Sequence, residues 1–187
     1  DPDKVVYMRD DPFKVPAEGV VRYKYFRVNP GFTEDKFVSM IEVVPGNRAV
    51  VHHILVAVRR RKDAGTKSLQ GTEGSFLAAF VPGHRARVFP KGTAKHIPAG
   101  AELIFQVHYT PNGSAQEDRS KIGFVFADRK DIKNIVVTME ATQHRFLIPP
   151  MAENHKVESA SAAARKDMTL LAMMPHMHLR GKSSRYE

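Results

Sequence analysis

Short runs of alternating hydrophobic and polar residues recur along this chain. Val20–Val28 reads VVRYKYFRV, Lys36–Val44 KFVSMIEVV and Ala49–Val58 AVVHHILVAV. Further on, Glu102–Tyr109 reads ELIFQVHY, Ile122–Phe126 IGFVF and Ile132–Met139 IKNIVVTM. Each run is rich in β-branched and aromatic residues and carries the two-residue period of a strand. Turn chemistry bounds them: Asn29-Pro30-Gly31, Pro45-Gly46-Asn47, Pro82-Gly83, Pro98-Ala99-Gly100 and Pro111-Asn112-Gly113. Several short strands at such spacing predict an all-β protein, an antiparallel β-sandwich of jelly-roll type.

One stretch breaks the pattern. Between Ser159 and Met174, Ala160, Ala162, Ala163, Ala164, Leu170, Leu171 and Ala172 are good helix formers, and propensity alone predicts a helix. Pro149-Pro150 precedes it and suggests a boundary between about Asp128 and Pro150.

The chain's 187 residues are enough for one large domain, or for one domain and part of another. No window of about 18 apolar residues exists, so no membrane insertion by a helix is expected. The opening DPDKVVYMRDDPF has no apolar segment of signal-peptide type. Cysteine is absent, which excludes disulfides, thiolate metal sites and a cysteine nucleophile. The net charge of +9 raises nucleic-acid binding as a reading. The densest basic cluster, Arg59-Arg60-Arg61-Lys62, follows an apolar run and has no interleaved aromatics. A solvated loop is expected there, and no nucleic-acid partner. No GxSxG elbow, P-loop or HExxH occurs, and the acidic residues do not pair on one strand face.

The chemistry lies in nine histidines. His176-Met177-His178 places two imidazoles two residues apart. On a strand they share a face and can chelate one ion; on a helix they diverge. Pro175 argues against a mid-helix placement. His52-His53, inside VVHHILV, poses the opposite problem, because adjacent strand residues face opposite sides. Both can reach one metal only beyond a strand edge or where the backbone is twisted or bulged. His108, in QVHYTPNG, is a third candidate at a strand end. Neutral imidazole suits copper, zinc, nickel or iron. Met168, Met173, Met174 and Met177 supply soft sulfur nearby, though such a cluster is more often core filling. His84, His96, His144 and His155 lie beside turn residues or cations, and are expected to be solvent-exposed and dispensable for metal.

Taken in order, VHHILV, VFPKGTAKHIPAGAELIFQVHYTPNG and MPHMHLRGK resemble the copper type II, ascorbate-dependent monooxygenases, from about Ala49 to Gly181. That family includes peptidylglycine α-hydroxylating monooxygenase and dopamine β-hydroxylase, and the resemblance is closer to bacterial relatives. It implies two jelly-roll domains, each with one copper: a first domain over residues 1–130 and the beginning of a second over 131–187. It implies that His52, His53 and His108 hold the electron-donating copper at a sheet edge. It assigns His176 and His178 to the catalytic copper, where O2 and substrate react, and it overrules the helix for Leu170–Met174.

The resemblance further implies ascorbate or another small reductant, a small-molecule substrate with an activated C–H bond, and a periplasmic or secreted location. Met174 stands where the peptide-hydroxylating members carry an arginine, so glycine-extended peptides are not the expected substrate. The family's second copper also takes a downstream methionine, and this sequence ends at Glu187 without one. The expectation is a truncated piece, itself inactive, with exposed strands on which a homodimer could form. A non-catalytic copper-binding or electron-transfer sandwich is the alternative. A zinc-binding or purely structural β-domain is a third reading.

Overall fold

The computed structural model describes residues 1–60, 76–143, 145–177 and 180–187. The protein is all-β and builds a sandwich. The strands are β1 (Lys4–Tyr7), β2 (Phe13–Val15), β3 (Lys24–Val28), β4 (Lys36–Val44), β5 (Val51–Arg59), β6 (Phe76–Phe80), β7 (Arg87–Val88), β8 (Thr93–Ile97), β9 (Glu102–Tyr109), β10 (Gln116–Asp118), β11 (Lys121–Phe126) and β12 (Asn134–Ile135). One sheet has the order β1-β11-β4-β8-β12, with β7 also paired to β4; the second has the order β3-β9-β5-β6; β2 and β10 form a small third ladder. All pairings are antiparallel except β8 with β12. Among the described residues no helix is long and apolar enough to cross a membrane.

The period-2 pattern explains which faces meet. On β9, Leu103, Phe105, Val107 and Tyr109 point inward and are buried, opposite Val58, Val56, Ile54 and Val51 of β5. Against them lie Val38, Ile41 and Val43 of β4, Ile97 of β8, and Ile122 and Phe124 of β11, all in one core. Each such side chain removed from water contributes about 1.5–3 kcal/mol. Three register shifts interrupt the alternation: at Ser39 in β4, at Leu77 in β6 and at His52 in β5. In each, one extra residue sits opposite a regular partner strand, which is a β-bulge.

The buried polar side chains Asp118 and Lys95 are both hydrogen-bonded within this frame. Asp118 is 1% exposed and accepts hydrogen bonds from the Tyr109 hydroxyl (2.8 Å), the Asn47 backbone N–H (2.9 Å) and the Ser120 hydroxyl (2.8 Å). Burial, and then the Asp118 charge, push the Tyr109 phenol far above its ordinary pKa, so it remains a proton donor. Lys95, 7% exposed, donates to the carbonyl of Phe76 and to Thr138 Oγ1. Burial, with a smaller contribution from Arg87, lowers its pKa to about 8.

Several sequence expectations need correction. Arg59 is no solvated loop residue. It ends β5, is 6% exposed, and its guanidinium meets the Glu102 carboxylate at 2.6 Å. Arg60 is exposed, and Arg61 and Lys62 lie outside the described residues. The run from Ile132 to Met139 yields only the two residues of β12.

The chain divides into two units, residues 1–140 and 141–187. All twelve strands belong to the first. In the second, the described residues form neither strand nor helix, and none is buried. The helix predicted over 159–174 is absent. Propensity without an apolar face to bury does not hold a helix of that length in water. The second unit's local order comes from polar contacts. Pro149 O accepts from Ala152 N around Met151, whose φ is 64°, and Lys182 Nζ donates to Glu153 O and Asn154 Oδ1.

Candidate metal centre

The site grows out of the bulge in β5. Val51 pairs with Tyr109 and His53 pairs with His108, leaving His52 as the extra residue. Val51 and Ile54 both face the core although three positions separate them, a change of parity that an inserted residue permits. His53 and His108 therefore stand side by side on the outer face of the four-stranded sheet. The bulge turns His52 toward them instead of leaving it on the opposite face. Pairing of β5 with β6 begins only at Ile54, so on that side β5 has no strand partner at His52–His53 among the described residues.

The three rings form a triangle. Centroid separations are 5.3 Å for His52–His53, 5.1 Å for His52–His108 and 5.0 Å for His53–His108. One ring nitrogen from each lies within 4.8 Å of the others; His52 is exposed, while His53 and His108 are half-buried. Metal–imidazole bonds of about 2.0–2.1 Å put ligand atoms of one ion at most about 4 Å apart. Small side-chain rotations therefore bring this trio to bonding distance, and the residues fit a tri-imidazole metal site. Imidazole nitrogen donors without thiolate or carboxylate suit copper and zinc better than magnesium or calcium.

Tyr23, just before β3, covers one side of the triangle. Its ring centroid is 4.8 Å from that of His108 and 5.8 Å from that of His53. Sequence reasoning missed Tyr23, because nothing local marks it. Only the pairing of Lys24 with Val107 brings it opposite His108. It missed Asn47 and Asp118 for the same reason.

Among the described residues, no other histidine joins a group of this kind. His176 is exposed in the second unit, and His178, its expected partner, lies outside the described residues. His84 and His155 are exposed, and His144 also lies outside the described residues. His96 differs from expectation. It is half-buried on β8, stacked on Phe37 at 5.2 Å, with Nε2 2.8 Å from Asp35 Oδ2. The Ala99 N–H, and secondarily His96, hold the Asp35 carboxyl below its usual range. Among the described residues, His52, His53 and His108 are the one group of three metal-ligating side chains so gathered.

No protein-family model matches the chain, and no curated protein matches it with significance.

Proposed function

We propose that this chain belongs to a copper-dependent monooxygenase that hydroxylates an activated C–H bond of a small molecule, using O2 and ascorbate or a similar reductant. The observation that carries the proposal is the bulge at His52, which gathers two sequence-adjacent imidazoles and a third from β9 within 4.8 Å. His52, His53 and His108 would hold the electron-donating copper, and His176 and His178 the catalytic one. Bound copper supplies one-electron redox chemistry, and imidazole is a good ligand for both of its oxidation states. The protein's own contribution at the first site is orientation and access. The β5–β9 pairing sets His53 against His108, Tyr23 screens one side, and exposed His52 leaves another open to a small reductant. The family resemblance adds a periplasmic or secreted location.

A second reading, a non-catalytic copper-binding or electron-transfer sandwich, draws support from the placement of the triad. All three histidines lie in the first unit, which also contains every core residue among those described. Oxygen uptake with copper and ascorbate separates the two. The monooxygenase reading expects substrate-coupled uptake in the parent protein that is lost in His176→Ala. The electron-transfer reading expects copper reduction by ascorbate without coupled product. Preference for zinc over copper at the triad would contradict both.

A further inference from the structure

The triad comes from two separate stretches of chain, and one buried carboxylate is bonded to the backbone or side chain of each. Asp118 accepts from the Asn47 N–H, and the Asn47 carbonyl in turn accepts from Val50 N (3.4 Å) and Val51 N (3.1 Å), the residues that lead into the His52 bulge. The same carboxylate accepts from the hydroxyl of Tyr109, the neighbour of His108 and the partner of Val51. Thr110 N donates to Val50 O at 2.8 Å and closes the ladder behind the bulge. We propose that Asp118 is a positioning residue of the histidine site, registering the His52–His53 turn against the His108 strand from the core side. The inference rests on reading these histidines as one metal site, and it extends that reading to a residue none of whose atoms need touch the metal.

Four further features bear on the role. Asn47 is held a second time, its side-chain amide donating to Gln116 Oε1 and Glu117 O on β10. Ser120 donates to Asp118 and accepts from Gly46 N, so the whole Pro45-Gly46-Asn47 turn closes around the carboxylate. A Cβ on Gly46 would lie 2.7 Å from Asp118 Oδ1, so only glycine admits this approach. Phe13, opposite Asp118 on β2, stacks on Tyr109 at 5.1 Å and fixes the ring that carries the hydroxyl. A carboxylate accepts from every donor aimed at it; an amide in its place turns an N–H₂ donor toward at least one of them. Substitutions of residues that orient metal ligands from behind typically cost 10–100-fold in metal affinity.

The test compares Asp118→Asn and Tyr109→Phe with the whole chain, using a core substitution in the other sheet, Phe124→Leu, as the stability control. The first readout needs no metal: histidine ring signals by NMR in the apo protein. The inference expects the His52, His53 and His108 signals to shift or broaden in Asp118→Asn and Tyr109→Phe, with His84 and His96 unchanged. Unmoved triad signals in a folded Tyr109→Phe would overturn it. The second readout is copper(II) affinity with the EPR hyperfine pattern. About tenfold weaker binding with an altered spectrum is expected in both variants, and wild-type affinity and spectrum in Phe124→Leu. Equal weakening in Phe124→Leu would reduce Asp118 to general stability and overturn the positioning role. If the wild-type chain binds no copper that His108→Ala abolishes, the proposed function fails; the apo signals then still decide the role of Asp118.

Discussion

Gly46 illustrates how tightly single residues are constrained around the site. A Cβ there would meet Arg119 N at 2.6 Å and Arg119 C at 2.7 Å, and backbone cannot swing aside as a flexible side chain can. Gly46→Ala should cost about 1–3 kcal/mol in urea unfolding. Because the displaced segment includes Asp118, its copper affinity should fall too; unchanged stability would show that the turn yields freely. Lys95 provides a residue-scale test of pH dependence. Its folded pKa of about 8 lies below the ordinary lysine value, so the unfolded chain binds the extra proton between those limits. The charge opposes folding below about pH 8, and the penalty fades as pH rises toward 10.5. Wild-type stability relative to Lys95→Met should therefore increase across that window. A flat difference would mean that the hydrogen bonds to Phe76 and Thr138 hold the ammonium as well as water does.

At the scale of elements, legibility depended on the length and composition of each run. β4 and β9 coincide with the predicted runs Lys36–Val44 and Glu102–Tyr109, which are long and rich in β-branched and aromatic residues. β6 (FLAAF) and β8 (TAKHI) went unpredicted, being only five residues each and carrying alanines. β2 and β10 are three residues each, too short for a period to register. The site was legible in its residues but not in its support. The break in parity at VVHHILV predicts a bulge or an edge, whereas Asp118 and Asn47 stand 71 positions apart with no pattern linking them. The bulge itself can be tested by deletion. Removing His52 would let Val51–Tyr109 and His53–His108 pair in a regular ladder. The variant should stay folded with stability within about 1 kcal/mol, since an exposed residue is lost and no core contact is. Its metal affinity should collapse. A folded deletion variant that binds metal normally would show that the bulge is incidental.

For the whole molecule, the division into units has a direct consequence. Among the described residues, every core residue belongs to residues 1–140, and none beyond is buried. A chain ending at Glu140 should melt within a few degrees of the full chain and keep the triad's metal affinity; loss of folding would show that the second unit contributes stability its exposed residues do not suggest. The second unit was the least legible part of the sequence. Its alanine-rich stretch has helix propensity without a surface to pack on, and propensity yields to the lack of burial. If the β-bulge makes one copper site of His52, His53 and His108, as proposed, an equilibrium copper titration of the wild-type chain and of His108→Ala at neutral pH reads it directly. The wild type should hold a tight copper that is weakened well over tenfold in the variant, as expected when a three-ligand site loses one ligand. Equal affinity in the two proteins would rule the shared site out.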